Sequence, residues 1–220
     1  MKAMILAAGR GERLRPLTDS VPKPLVEIGG DTLIERHLKA LAAAGIEEVV
    51  INVSHLAEMI ETRLGDGSRY GVTICYSHEP GEPLETAGGI ARALPLLGAN
   101  PFIVVNADIW TDFDFANLPT RATAAHLVVT ANPPHNPGGD FDLISGRLTR
   151  ASHNPYTYCG IGVFRPSVFE SLTTERAPLG PVLFELADGA QLSGECQTSR
   201  WFDIGTIERL ALAQIAVGES

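Results

Sequence analysis

The sequence predicts an α/β fold, a mostly parallel sheet flanked by helices. In the first half, apolar runs of strand length alternate with segments of helical period, the pattern of right-handed βαβ units. The first apolar run ends in a glycine loop that leads into a cluster of basic residues.

AMILAAG (3–9) and EVVINVS (48–54) read as buried strands. Between them, DTLIERHLKALAAAG puts Leu33, Ile34, Leu38 and Leu41 on one helical face, with Thr32 and Glu35 in capping-box spacing and Gly45 as the stop. LAEMIETRL then reads as a helix, VTICYSHE as a strand, TAGGIARALPLL as a helix and PFIVVNAD as a further buried strand. After Asp108 the extended segments HLVVTANPP, FDLISGRLTR and YCGIGVFRP are broken by Pro, Gly and Asn, which predicts mixed or antiparallel strands. SVFESL and PVLFELAD read as helices and RWFDIGT as a strand end. In the closing helix TIERLALAQIAV, Ile207, Leu210 and Ile215 are expected to pack back on the sheet. The second half is expected to form a lobe over the carboxyl ends of the strands, where open α/β sheets bind ligands.

Composition narrows the function. The chain has 220 residues and a net charge of -9, which disfavours nucleic acid as a partner. No apolar run is long enough for a membrane span, and the short run after Lys2 is no secretory signal. Cys75, Cys159 and Cys196 are odd in number and widely spaced, so they read as small buried hydrophobes in a cytoplasmic protein. Against the acidic background, Lys2, Arg10, Arg13, Arg15 and Lys23 face only Glu12 and Asp19 in the first 23 residues. An anion is the expected ligand of that segment.

Gly9 and Gly11 follow the first strand, where glycines let backbone N–H groups approach a phosphate. The loop lacks the Gly-Lys-Ser/Thr ending of a Walker A loop, and Leu14 stands where a dinucleotide fingerprint has its third glycine. Pro22 and Pro24 restrict the backbone on both sides of Lys23. Asp108 follows an apolar strand, and Asp203 has a similar setting in WFDIGT. Two such carboxylates brought together suit Mg²⁺ completed by substrate phosphates. His37, His55, His126 and His135 are expected at the surface or in packing.

LAAGRGERLRPLT with VPKPL resembles the signature of the sugar-1-phosphate nucleotidyltransferases, and EPGEPLETAGGI, VNAD, HNPGGD and WFDIGT follow in the same order. The resemblance spans essentially the whole chain. It implies a Rossmann-like nucleotide-diphospho-sugar transferase fold with a small sugar-binding lobe, arranged as one domain. Residues 1–110 would be its nucleotide-binding half, and 111–220 its sugar-binding half with the closing helix.

By that resemblance Gly9, Gly11 and Arg13 meet the triphosphate and Lys23 the phosphates where transfer occurs. Ala7 and Ala8 lie against the nucleoside; Glu79, Glu85, Thr86 and Gly88 belong to the segment that contacts the base, with Gly88 and Gly89 leaving room for it. Asn106 orients the metal site or the ribose, and Asp108 and Asp203 hold the metal. Gly139, Asn154 and Gly160 fall on the sugar side. Many relatives carry a Glu-Lys-Pro triplet whose lysine touches the sugar phosphate. This chain has ASHNPYTY there, leaving Arg150, His153, Asn154 and Tyr156 as candidates.

The implied reaction is Mg²⁺-dependent transfer of a nucleotidyl group to a sugar 1-phosphate, with release of pyrophosphate. The short form with ETAGGI and WFDIGT points to UTP, and guanylyl transfer is the nearest rival. An NAD-dependent oxidoreductase would leave Lys23 unexplained. A silent regulatory relative would be expected to lack some of Arg13, Lys23, Asp108 and Asp203, and all are present.

Overall fold

The computed structural model describes residues 1–81, 83–172 and 175–218. The first strand, β1 (Ala3–Leu6), leads through the glycine loop to a small hairpin, β2 (Glu27–Ile28) and β3 (Asp31–Thr32). Gly29 and Gly30 turn that hairpin at φ 67° and 89°, a conformation that favours glycine. Helix α1 (Leu33–Ala43) begins at the expected capping box. The Glu35 N–H donates to the Thr32 hydroxyl at 3.3 Å, and Glu35 Oε2 accepts the Thr32 N–H at 3.1 Å.

Next come β4 (Glu48–Val53), α2 (Ala57–Leu64), β5 (Thr73–His78), α3 (Glu85–Leu97) and β6 (Phe102–Asn106). The second half contributes β7 (Ile109–Thr111), β8 (Ala125–Ala131), β9 (Asp142–Ile144), β10 (Arg147–Thr149) and β11 (Tyr156–Phe164). The chain closes with α4 (Leu179–Asp188), β12 (Leu192–Cys196), β13 (Trp201–Asp203) and α5 (Ile207–Gly218).

One sheet has the order β5-β4-β1-β6-β11-β8-β12-β10-β9. Its β5-β4-β1-β6 part is parallel, whereas β11 runs antiparallel to both β6 and β8. Helices α1 and α2 cover one face and α3 and α4 the other. The chain moves from β1 outward to β4 and β5, then returns through α3 to β6 on β1's other side. That reversal opens a crevice at the carboxyl end of β1, the switch point where such sheets bind ligands.

Several local expectations are corrected. SVFESL forms only a 3₁₀ turn, Pro166–Val168, because so short a stretch does not repay helix nucleation. The strand expected at RWFDIGT is present as β13, which pairs with β7 in a separate two-stranded ribbon. Helix α5 buries Leu210 and Ala213 in a third cluster with Leu14, Val26, Leu33 and Trp110, while Ile207 and Ile215 are exposed. Ile215 lies five positions beyond Leu210, well around the helix from the buried stripe. Of the cysteines, only Cys159 is buried, its thiol pushed up to about 12 by burial. Cys75 and Cys196 are exposed; Cys75 alternates outward on the edge strand β5.

His37 packs beneath β7, its Nε2 2.9 Å from the Ile109 carbonyl. Burial, with the nearby Arg36 charge, lowers its pKa from 6.5 to about 4, although the Ile109 contact and Asp108 oppose the shift. Between those values the unfolded chain holds the extra proton, so stability should fall by about 3 kcal/mol as pH drops from 6.5 to 4. Denaturant unfolding across that range should show the slope, and His37→Gln should remove this part of it.

Candidate active site

A cavity of about 650 Å³ opens at the switch point. Its walls include Ala7, Ala8, Gly9, Gly11, Arg13, Lys23, Glu79, Glu85, Thr86, Asn106 and Asp108, residues expected at a nucleotide or metal site. Gly88, Asp203, Gly139, Asn154 and Gly160 do not line it.

The glycine loop is shaped by its own contacts. Gly11 has φ 65°, and a Cβ there would fall 2.9 Å from the Thr18 methyl and 3.2 Å from Lys23 Cβ. The Thr18 hydroxyl donates to the Gly11 carbonyl at 2.9 Å, so the loop and the Lys23 turn are fastened together. A Cβ at Gly9 would meet no atom within 4 Å, which leaves its backbone open to a ligand. Arg13 is exposed and has no acidic partner among the described residues. Arg15 is spent on Asp19 at 3.1 Å, and Arg10 lines the cavity.

Lys23 is largely buried, and its Nζ donates to Asp108 Oδ2 at 2.6 Å. The β7–β13 ribbon brings the second aspartate alongside. Asp203 pairs with Ile109, and the Ile204 N–H donates to the Asp108 carbonyl at 2.9 Å. Asp203 Oδ2 accepts from Arg209 Nη1 at 2.6 Å and lies 3.3 Å from His135 Nε2. His135, expected at the surface or in packing, thus sits on a candidate metal ligand and stacks on Trp201. Its HNP setting gave no sign of this, nor did the sequence single out Arg209.

No group of three or more His, Cys, Asp or Glu able to hold a metal occurs among the described residues. Asp108 and Asp203 lie on paired backbone segments, and carboxylates are the donor type that suits a hard cation drawing its remaining oxygens from phosphates and water.

The cavity floor contains a residue the sequence reading missed. Asn52 Oδ1 accepts the Ala7 N–H at 2.9 Å, and Asn52 Nδ2 donates to Glu79 Oε1 at 2.6 Å. The other Glu79 oxygen accepts the Leu84 N–H at 2.8 Å, so this buried carboxylate is committed to the protein. The signal was available: Asn52 is the polar residue inside an otherwise apolar strand.

The glycines of this wall make room for the chain itself. A Cβ at Gly89 would fall 2.5 Å from Glu79 Oε1 and 2.9 Å from Asn52 Nδ2. One at Gly88 would meet the Glu175 carbonyl at 2.2 Å, because the Ala177 carbonyl accepts the N–H groups of Ala87 and Gly88. Beside that crossing, Arg176 pairs with Glu85 at 2.7 Å. Glu82, within the same motif, lies outside the described residues.

Of the expected sugar-side residues, Gly139 and Asn154 lie together and Gly160 lies apart from them, against Asn106. Asn132 Nδ2 donates to the Asn154 carbonyl at 2.7 Å, and a Cβ at Gly139 would overlap that carbonyl at 2.0 Å. Gly160 sits at a bulge of β11 with φ 77°, where a Cβ would press on Asn106 at 2.7 Å. Gly160 therefore positions a residue of the main cavity wall. Arg150 faces α4, pairing with Asp188 at 3.8 Å and lying over the Phe184 ring.

The nucleotidyl transferase family profile matches residues 2–144. The chain is 50% identical to N-acetylmuramate alpha-1-phosphate uridylyltransferase of Neisseria meningitidis, over 99% of both chains. It is 35% identical to mannose-1-phosphate guanyltransferase beta-B of Xenopus laevis, over 93% of this chain and 61% of that protein. A crystal structure named as a glucose-1-phosphate thymidylyltransferase from Bacillus anthracis, in complex with a sucrose, superposes with a TM-score of 0.87. That likeness covers 100% of this chain and 96% of the other, and at 18% identity it concerns the fold.

Proposed function

The chain belongs to the nucleotidyl transferase family, and from that premise we propose that it transfers a uridylyl group from UTP to N-acetylmuramate 1-phosphate, yielding UDP-N-acetylmuramate and pyrophosphate. The carrying observation is the convergence of the Gly9–Gly11 loop, Arg13 and Lys23 on one cavity, in a chain half identical over its length to a uridylyltransferase of that name.

The sugar phosphate is the nucleophile. A phosphate monoester loses its second proton near pH 6, so at neutral pH its oxygen is already ionised and needs no general base. The remaining barrier is the repulsion between two polyanions and the charge that builds at the α-phosphorus. Backbone N–H groups of Gly9 and Gly11 meet the triphosphate, Arg13 screens its outer charge, and Lys23 lies against the phosphates that react. Ala7, whose N–H is held by Asn52, and Ala8 form the surface for the nucleoside. Asp108 and Asp203 would hold Mg²⁺, which when bound there neutralises phosphate charge. Asn154 and Gly139 belong to the sugar side.

The relation to a mannose-1-phosphate guanyltransferase supports a second reading, GTP with mannose 1-phosphate. The site of action is the cytoplasm, in reuse of cell-wall sugars; no helix among the described residues is long and apolar enough to cross a membrane, and the three cysteines are free. Pyrophosphate release from a matrix of nucleoside triphosphates and sugar 1-phosphates tests the assignment. UTP with N-acetylmuramate 1-phosphate should be the fastest pair. A faster GTP–mannose 1-phosphate pair would move the substrate assignment, and no release from any pair would reject the reading.

A further inference from the structure

The two candidate metal-binding aspartates are held in the same way by cations from different parts of the chain. Asp108 Oδ2 accepts from Lys23 and Asp203 Oδ2 from Arg209, each at 2.6 Å. His135 approaches the same oxygen of Asp203. Among the described residues, neither Oδ1 has a partner. Each carboxylate thus has one oxygen clamped and one left over.

Arg209 is built into this position. It lies in the first turn of α5, its side chain is only 17% exposed, and its backbone N–H is capped by the Thr206 hydroxyl at 3.3 Å. Its guanidinium occupies the space above Gly205, where a Cβ would fall 1.6 Å from Nη2 and 2.5 Å from Cζ. Gly205 has no positive φ that would require glycine, and any side chain there would push the Arg209 guanidinium from its place. Gly205 also lines the main cavity.

We propose that Arg209 is a positioning residue for the divalent-cation site, clamping Asp203 Oδ2 through the space left by Gly205 so that Oδ1 is the oxygen offered to the ion. This rests on Asp203 being a metal ligand. A planar guanidinium suits the task because its fixed fork sets the carboxylate plane as well as neutralising charge. Loss of such an outer partner typically costs 10-fold or more in metal affinity. If Arg209 only fastened α5 to β13, its loss would lower stability and leave metal affinity alone. If it only opposed the cation by charge, its loss would tighten metal binding.

The test uses the whole chain with UTP and Mn²⁺, following free Mn²⁺ by its electron paramagnetic resonance signal, alongside the Mg²⁺ dependence of turnover. Arg209→Met and Gly205→Ala should each raise the Mn²⁺ dissociation constant and the half-saturating Mg²⁺ by about tenfold, with turnover at saturating Mg²⁺ far less affected. Gly205→Ala keeps the positive charge and displaces it, so it tests position independently of a folding defect in the first variant. Asp203→Asn is the control. If Asp203→Asn weakens Mn²⁺ binding while the other two bind it as tightly as wild type, or tighter, the role of Arg209 is overturned and the ligand assignment stands. If Asp203→Asn leaves Mn²⁺ binding unchanged, the ligand assignment itself fails.

Discussion

Lys23→Ala should lower turnover by a factor on the order of 10² to 10³ and leave the fold in place. The lysine is 8% exposed and its ammonium is 2.6 Å from Asp108, so its position is set before substrate arrives. Such a charge stabilises the transferring phosphoryl group without reorganisation, which is why its loss is felt in the rate. Stability should suffer little, because Asp108 is 35% exposed at its side chain and can be solvated when its partner is gone. Steady-state kinetics together with thermal unfolding checks both halves; wild-type turnover in the variant would remove Lys23 from the chemistry.

Asp108→Asn is the converse and should be the more damaging of the two. It removes a carboxylate proposed for the metal and also leaves the Lys23 ammonium, 10% exposed at its side chain, facing a neutral amide. The expected result is a comparable loss of turnover together with about 1–3 kcal/mol of stability, the cost of a buried charge that has lost its partner. Excess Mg²⁺ should recover little of the activity. The asymmetry between the two variants is the informative quantity, since it follows from which member of the pair is buried. Equal stability losses would contradict it.

The first half of the fold was legible because its signals are local. The Thr32–Glu35 capping box, the Gly45 stop and the apolar runs at 3–6, 48–53 and 102–106 each read within a few residues. The glycine loop and Lys23 were legible for the same reason. The separate β7–β13 ribbon was not, since pairing Asp203 with Ile109 depends on how the closing segment returns across the sheet. That return also brings His135 to Asp203, and no short-range pattern encodes such a meeting. Gly88 and Gly89 were expected to leave room for the base, and the atoms nearest a Cβ at those positions are the Glu175 carbonyl and the Glu79 carboxylate, contacts set by distant parts of the chain. Exposed Ile215 shows the limit of helical pattern when the helix packs on a narrow ribbon.

In the proposed reaction a sugar-phosphate oxygen attacks the α-phosphorus of a nucleoside triphosphate held in the cavity beside Lys23. Its most direct test is UTP carrying oxygen-18 in the bridge between the α- and β-phosphorus, incubated with N-acetylmuramate 1-phosphate and Mg²⁺ and followed by mass spectrometry of the products. UDP-N-acetylmuramate should carry no label, and all of the label should be in pyrophosphate. Label retained in the nucleotide sugar, or release of UDP in place of pyrophosphate, would contradict that reaction.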